Sequence, residues 1–413
     1  MSLNGTPSGE RIHIGFFGRR NAGKSSLVNE ITGQNLSIVS NQKGTTTDPV
    51  KKAMELLPLG PVMIVDTPGF DDEGELGRLR IQKAKDVLEK ADMAVLVMDV
   101  LEPVNESEKQ LIEMFMDRDI PFLLVFSKWD LLGDVVDERV MLTGKEREMN
   151  RLGLDVTGEQ MIFASVHKQQ NVEMVKEKII QLMKDFAEEK YLVKDLLTSQ
   201  EPVIMVIPID SGAPKGRIIL PQQQVLRELL EAGIMTVVVK ETELDQALQR
   251  LENRVSLVIT DSQVFEEVNK IVPKEIQLTS YSILMSRYKG FYDAAIEGIQ
   301  KMDNLKDGDC ILIAEGCTHH RQCDDIGTIK IPRWLSEYTG KKLTFDTTSG
   351  GDFPQDLSKY AMVIHCGGCM LNGREVLRRM SRTMKQGIPF TNYGMAIAKM
   401  KGILERSIEI IKK

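Results

Sequence analysis

One stretch near the N-terminus constrains the fold more than any other. The apolar segment RIHIGFFG has the pattern of a strand and leads into GRRNAGKSS, which gives Gly18, Gly23, Lys24 and Ser25 the spacing G-x-x-x-x-G-K-S. Backbone N–H groups of such a loop surround phosphate oxygens, the lysine reaches the outer phosphates, and the serine hydroxyl coordinates Mg²⁺. The sequence therefore predicts a P-loop α/β domain. The candidate phosphate-binding residues are Gly18, Asn21, Ala22, Gly23, Lys24, Ser25 and Ser26.

Three later stretches follow in the order that guanine-nucleotide switches use. VMIVDTPG ends an apolar strand at Asp66, which is placed to hold Mg²⁺ through water, and Gly69 supplies an N–H for the outermost phosphate. FLLVFSKWD ends another strand at the base-reading motif, where the carboxylate of Asp130 accepts both donors on the guanine edge. These stretches, with MIFASVHK beyond them, predict GTP as the nucleotide. The candidate base-binding residues are Lys128, Asp130, Ser165 and Val166.

The length of the chain predicts more than one domain, because 413 residues exceed what a single hydrophobic core usually supports. A helical pattern over residues 170–190 completes the first domain, and short apolar strands then alternate with helical segments to the end of the chain. We expect an α/β protein with three α/β domains and parallel-type sheets, the first having a P-loop GTPase fold. The expected domains are residues 1–190, a small docking or dimerisation domain over 191–273, and a third domain over 274–413.

The net charge and the hydrophobic pattern of the chain predict which partners it binds and where in the cell it is found. A net charge of −7 and a pI near 5.5 argue against a broad nucleic-acid surface, which needs a basic face. The N-terminal segment has no charged-then-apolar leader, and the longest apolar runs have the length of strands, so we expect no membrane association and a cytoplasmic location. Thiols stay reduced in that compartment, so clustered cysteines indicate metal ligands or catalytic groups before disulfides.

Cysteines and histidines gather near the end of the chain. Cys317 follows the apolar strand ILIAEG, and HCGGC brings His365, Cys366 and Cys369 directly after AMVI. Carboxyl ends of parallel strands share one edge of a sheet, so these residues are expected to meet there, with His319 close by. Three cysteines and one histidine suit structural zinc, three cysteines alone suit a [4Fe-4S] cluster with one iron lacking a cysteine ligand, and the C-x-x-C pair alone also fits redox chemistry. Of the remaining cysteines, Cys310 is expected in the core and Cys323 as a free thiol.

Residues 10 to about 187 resemble the translation-factor-related GTPases, above all the branch of the tRNA-modification GTPase and Era. GRRNAGKSS and GTTTDP carry this resemblance. It implies that Asn21 helps to bind K⁺ beside the phosphates, that Thr46 ligates Mg²⁺, and that K⁺ stimulates hydrolysis. Two positions depart from the common pattern: Phe70 stands where many switch GTPases have a water-orienting Gln, and Ser127 where the base-reading motif has Asn. The candidate catalytic residues are Lys24, Thr46 and Gly69, and the acids near the second switch are Asp71, Asp72, Glu73 and Glu75.

The serine at position 127 predicts weaker nucleotide binding with unchanged base choice. Its hydroxyl can hydrogen-bond neighbouring loops, but it has a shorter reach than the amide of asparagine.

The whole chain resembles the HydF family of hydrogenase-maturation GTPases. The resemblance rests on the P-loop domain together with C-x-H, residues 320–364 and H-C-x-x-C, and on APKGRIILPQQQ in the middle region. It implies a scaffold that receives a transient di-iron precursor from two radical-SAM maturases and delivers it to apo-[FeFe]-hydrogenase, with homodimerisation through the middle domain. The implied [4Fe-4S] ligands are Cys317, Cys366 and Cys369, with His319 and His365 near the fourth iron position and Asp324 and Asp325 as alternative oxygen ligands.

A different class of protein remains as the alternative. It is a potassium-dependent RNA-modification or ribosome-assembly GTPase whose C-terminal residues hold zinc. The acidic charge and the lack of patches that combine aromatic and basic residues argue against it.

Overall fold

A computed structural model describes residues 8–33, 48–69, 75–133, 136–186, 190–209, 218–317 and 325–412. The chain separates into two compact units, residues 1–188 and 189–413. Within the described ranges, no helix is both long enough and apolar enough to cross a lipid bilayer.

The first unit is built on one sheet. In its described part the strands have the order β2-β3-β1-β4-β5-β6; β2 runs antiparallel to β3 and the other neighbours are parallel. Buried apolar side chains form a core on each face of this sheet. The strands are β1 (Ile12–Gly18), β2 (Val50–Leu56), β3 (Gly60–Asp66), β4 (Met93–Asp99), β5 (Phe122–Ser127) and β6 (Met161–Phe163), and the helices are α1 (Lys24–Thr32), α2 (Glu75–Leu88), α3 (Glu106–Asp117), α4 (Glu138–Arg151) and α5 (Val172–Phe186).

The second unit contains two four-stranded parallel sheets, with the orders β10-β9-β7-β8 and β12-β11-β13-β14. Its strands are β7 (Val203–Val206), β8 (Thr236–Val239), β9 (Leu257–Thr260), β10 (Gln277–Ser280), β11 (Cys310–Ala314), β12 (Thr344–Thr348), β13 (Met362–His365) and β14 (Phe390–Asn392). Its helices are α6 (Leu220–Glu231), α7 (Leu244–Arg250), α8 (Phe265–Ile271), α9 (Tyr281–Tyr288), α10 (Tyr292–Gln300), α11 (Ile331–Thr339), α12 (Gly373–Lys385), α13 (Tyr393–Met400) and α14 (Leu404–Lys412).

These sheets confirm the predicted α/β class with parallel-type sheets; β2 is the antiparallel exception. In the second unit β10 begins after residue 273, where the sequence suggests a boundary, and it pairs with β9 in the middle sheet. One hydrophobic core contains Ile204 and Val258 of the middle sheet together with Ile313 and Ile364 of the last sheet. The middle and last sheets therefore share a core, and the division into three domains stays a prediction.

Candidate functional site

The P-loop joins the end of β1 to the start of α1 and carries a compact polar cluster. Lys24 is 6% exposed, and its Nζ forms an ion pair with the Asp66 carboxylate at the end of β3. The Ser25 hydroxyl donates to the other Asp66 oxygen at 2.9 Å. Because β1 and β3 are parallel neighbours, their carboxyl ends bring these three groups together. The cluster has the groups needed to bind a phosphate and its Mg²⁺ ion.

Backbone conformation and close packing explain two glycines of the nucleotide site, Gly23 and Gly69. Gly23 has a φ of 82°, a left-handed conformation that favours glycine. A Cβ added to Gly69 would lie 2.8 Å from the backbone nitrogen of Arg20, so Gly69, three residues after the end of β3, packs directly on the loop. Of the other loop residues, Ala22 is buried, whereas Asn21 and Ser26 are exposed. Thr46 and the acids Asp71, Asp72 and Glu73, like Phe70, lie outside the described residues.

The base-reading motif begins at the end of β5, and side-chain hydrogen bonds hold it in place. Ser127 Oγ lies 2.6 Å from the Ala22 carbonyl of the P-loop, so the serine that replaces the usual asparagine still reaches this loop. Lys128 pairs with Asp99 at 2.6 Å, and the Ser165 hydroxyl donates to Asp130 at 2.5 Å. The Ser165 hydrogen bond holds the pKa of Asp130 below its ordinary value, which keeps this carboxylate ready to accept donors from a base. Val166 lies beside Ser165 and is half-buried.

A further P-loop contact was not anticipated from the sequence. Arg19 Nε donates to Glu108 at 2.9 Å, and this glutamate is fully buried. Glu108 also accepts the backbone N–H of Asn105, while the Asn105 side chain accepts the N–H of Glu108; the two residues thus form a capping box at the start of α3. The spacing N-x-x-E indicates the cap, but no local pattern indicates that the cap also holds the P-loop.

Three thiols converge at the carboxyl edge of the last sheet. Cys317 follows β11, Cys366 follows β13 directly, and Cys369 lies three residues later. Burial, followed by interaction with the Cys366 and Cys369 thiols, raises the pKa of Cys317 to about 12. Burial, followed by interaction with Cys366, raises the pKa of Cys369 to about 11. The N–H of Gly316, next to Cys317, lies 3.1 Å from Cys366 Sγ, and Cys369 follows three residues after Cys366. The three cysteines therefore lie at the same edge of the sheet, and we call Cys317, Cys366 and Cys369 the thiol site.

Glycines shape the loops that carry the thiols. The N–H groups of Gly316 and Gly368 point at Cys366 Sγ, at 3.1 and 3.4 Å. Gly368 has a φ of 67°, and a Cβ there would lie 2.9 Å from Val376. N–H donors directed at sulfur stabilise a thiolate, so the loop geometry suits a sulfur that binds a metal.

His365 supports the thiol site from behind. The residue is fully buried; its Nδ1 lies 2.7 Å from the Cys366 carbonyl and its Nε2 lies 3.3 Å from Arg379 Nη1. Burial, with the positive charge of Arg379 as a second cause, lowers the pKa of His365 to about 3, so the ring is neutral. A neutral ring that donates from Nδ1 and accepts at Nε2 satisfies both contacts. Arg379 itself pairs with Glu375 at 3.1 Å, and sequence reasoning identified neither residue.

The neighbouring predicted ligands contribute less to the described geometry. His319, Cys323 and Asp324 lie outside the described residues. Asp325 accepts the N–H and hydroxyl of Thr328 and so caps the π-helix Ile326–Lys330. Cys310 begins β11 and packs against the shared core. Among the side chains that the structure describes, no three of the types His, Cys, Asp and Glu are arranged to hold a metal ion.

Three protein families match successive parts of the chain. Residues 13–128 match the 50S ribosome-binding GTPase family, residues 192–290 match the hydrogen maturase F dimerization domain, and residues 293–410 match the hydrogen maturase F tetramerization domain. The first match, together with the sheet order and the P-loop, confirms that the N-terminal domain has the P-loop GTPase fold.

Individual relatives match the N-terminal part. GTPase Der of Mycoplasmopsis pulmonis is 27% identical over 207 residues, which are 49% of this chain and 47% of the relative. The tRNA modification GTPase MnmE of Streptococcus sanguinis is 28% identical over 174 residues, which are 42% of this chain and 34% of the relative. The chain thus spans less than half the length of these curated relatives. Among solved structures, a variant of Era from Aquifex aeolicus, bound to GDP.AlF4⁻, has 16% identity and a TM-score of 0.36 over 82% of this chain and 92% of its own.

The two maturase domains adjoin each other and together take in just over half of the residues. They follow the GTPase domain in the order that the sequence analysis expects, which confirms the predicted resemblance. The chain belongs to the hydrogen maturase F family.

Proposed function

We propose that the protein is a GTP-hydrolysing scaffold that carries an iron–sulfur cluster and serves in the maturation of [FeFe]-hydrogenase. The observation that carries the proposal is that Cys317 and Cys366 follow neighbouring parallel strands, with the Gly316 N–H 3.1 Å from Cys366 Sγ and Cys369 three residues further on, in a chain whose last two domains match hydrogen maturase F. Membership of this family also argues against the alternative function, which is an RNA-modification or ribosome-assembly GTPase with a C-terminal zinc site.

In the nucleotide site, the P-loop N–H groups and Lys24 would bind the phosphates of GTP. Ser25 and Thr46 would ligate Mg²⁺, with Asp66 acting through water, and the Gly69 N–H would contact the outermost phosphate. Asn21 would help to hold K⁺. Asp130 would accept the guanine donors while Lys128, Ser165 and Val166 surround the base. The present ion pair between Asp66 and Lys24 supports this assignment, because it keeps the charged groups of the site together.

In the thiol site, Cys317, Cys366 and Cys369 would ligate three irons of a [4Fe-4S] cluster. The donor set fits such a group: all three are thiols, and one sulfur already receives two N–H contacts. The bound cluster supplies an iron without a cysteine ligand, at which ligands can exchange. His319, Asp324 and Asp325 are candidates for that fourth position. The contacts of both His365 nitrogens favour a supporting role for this residue.

The cargo would be a di-iron precursor, received from radical-SAM maturases and delivered to apo-[FeFe]-hydrogenase. The descriptions of the two matching domains, as dimerization and tetramerization domains, support a homo-oligomer as the working form. GTP binding and hydrolysis would then time the encounters with partners, since a γ-phosphate orders switch loops and its loss releases them. Equal affinity for the partners in the GTP, GDP and nucleotide-free states would contradict this timing role.

The decisive experiment replaces Cys317, Cys366 and Cys369 by serine one at a time, with Cys310→Ser as the matched control. After anaerobic purification, iron content, GTP turnover and activation of apo-hydrogenase are measured for each variant. We expect the three thiol-site variants to lose iron and activation while turnover continues, and the control to retain all three. Colourless parent protein with one zinc per chain, or full activation by every variant, would refute the proposal.

A further inference from the structure

A buried lysine at the end of α9 contacts the loop that follows Cys369. Lys289 lies at the C-terminal end of α9 and is only 5% exposed. Its Nζ donates to the Leu371 carbonyl at 2.8 Å, two residues beyond Cys369. The lysine belongs to the region that matches the dimerization domain, whereas the three thiols belong to the region that matches the tetramerization domain. The thiol site thus has a positively charged neighbour that the cysteine pattern does not indicate.

The helix that carries Lys289 is held firmly in place. Arg287 donates from Nη1 to the Tyr191 carbonyl at 2.9 Å and to Asp195 at 3.0 Å, which anchors α9 to the first residues of the second unit. On its other side, α9 lies beside the cysteine loop: a Cβ added to Gly367 would lie 3.7 Å from Met285 Cβ. Met285 and Cys369 also pack in the same hydrophobic core. A side chain at the end of such a helix has a defined position relative to the loop.

The charge of Lys289 opposes the charge that metal binding would create. The hydrogen bond from Lys289 Nζ to the Leu371 carbonyl holds the ammonium group against the loop that follows Cys369. When the three thiols lose their protons to bind a metal centre, negative charge appears in a region of low dielectric constant. A cation held beside such a region stabilises the negative charge that develops there.

We propose that Lys289 is a positioning residue of the thiol site, which fixes the loop after Cys369 and compensates the negative charge of a thiolate-bound iron–sulfur centre. This inference rests on the proposed function. Its consequence is electrochemical, because a one-electron reduction makes the centre more negative. The cation therefore favours the reduced form and raises the reduction potential.

The test compares Lys289→Gln, which removes the charge, with Lys289→Arg, which keeps it. Lys270→Gln is the matched control, because Lys270 is 68% exposed and pairs with Glu266 on α8. Each full-length protein is reconstituted anaerobically with iron and sulfide and titrated with dithionite, and the reduced centre is followed by electron paramagnetic resonance. Iron per chain and thermal unfolding are measured on the same samples.

We expect Lys289→Gln to keep its iron and to show an approximately tenfold lower ratio of reduced to oxidised centre at a fixed potential, equal to about 59 mV for one electron. The Lys289→Arg and Lys270→Gln proteins should have the same reduction potential as the parent protein. An unchanged potential in iron-replete Lys289→Gln would overturn the charge role, and equal loss of iron from both Lys289 variants would show that shape alone matters. A parent protein that binds no iron would instead refute the proposed function, and this inference with it.

Discussion

The ion pair between the P-loop and α3 should contribute to the stability of the fold, and the burial of its glutamate allows that contribution to be estimated. Arg19 Nε lies 2.9 Å from Glu108, whose side chain is fully buried, whereas the Arg19 side chain is 18% exposed. Glu108→Gln keeps the oxygen that caps α3 but loses the charged partner of Arg19. Arg19→Gln instead leaves a buried carboxylate without its cation. The two substitutions remove the same ion pair and should have unequal costs.

A hydrogen bond to a charged group contributes about 1.5–3 kcal/mol, so we expect Glu108→Gln to lower the free energy of unfolding by about 2 kcal/mol. Removing one partner of a buried pair costs about 3–5 kcal/mol, because the remaining charge stays buried, so Arg19→Gln should cost more. Burial raises the pKa of Glu108, so between its unfolded and folded pKa values the folded protein binds the proton more readily. Protonation neutralises the lone carboxyl, and the cost of Arg19→Gln should therefore shrink as pH falls from 7 toward the unfolded pKa.

Urea unfolding followed by tryptophan fluorescence can measure these changes. The chain has two tryptophans, and Trp129 is buried in the first unit, 4.6 Å from Phe163 between ring centres. A Trp334→Phe background makes Trp129 the sole reporter of that unit. A double-mutant cycle with both substitutions then isolates the coupling between Arg19 and Glu108.

The control is Glu173→Gln on α5, which removes an ion pair with Lys176 whose glutamate is 80% exposed. It should change stability by less than about 1 kcal/mol. A coupling energy below about 0.5 kcal/mol between Arg19 and Glu108, or equal costs for the two single variants across pH, would refute the reasoning.

Other predictions concern the two sites directly. Gly368→Ala should lower both iron content and stability, by about 1–3 kcal/mol, because the left-handed backbone and the contact with Val376 both oppose a methyl group; iron analysis and thermal unfolding test this, and unchanged values would contradict it. Ser127→Ala should weaken GDP binding about fivefold through loss of the hydrogen bond to Ala22, measured with a fluorescent GDP analogue; unaltered affinity would show that this contact is dispensable. Removing iron with an anaerobic chelator should leave GTP turnover within about twofold of the untreated protein, because the thiol site and the P-loop belong to different compact units; a complete loss of turnover would count against their chemical independence.

Local spacing accounts for what could be predicted. The P-loop depends on residues within eight positions of one another, and its phosphate-binding groups follow from backbone geometry. The convergence of Cys317 with Cys366 could be expected because both follow strands that turn out to be parallel neighbours. The full extent of the middle sheet does not follow from the sequence pattern. QLTS, the fourth strand, is short and polar, and its assignment depends on pairing with β9 rather than on its own pattern.

The nucleotide-binding motifs, the α/β class and the cysteines that follow the strands of the last sheet can all be recognised from the amino-acid sequence. The supporting side chains became visible only in the folded chain: Glu108 bonded to the P-loop residue Arg19, Arg379 beside His365, and Lys289 bonded to the loop that follows Cys369. The partners in these contacts are 14 or more positions apart in the sequence. Such pairs have no fixed spacing along the chain, because their proximity results from how helices pack on sheets. The partner of a buried charged side chain can therefore be identified only when that packing is known.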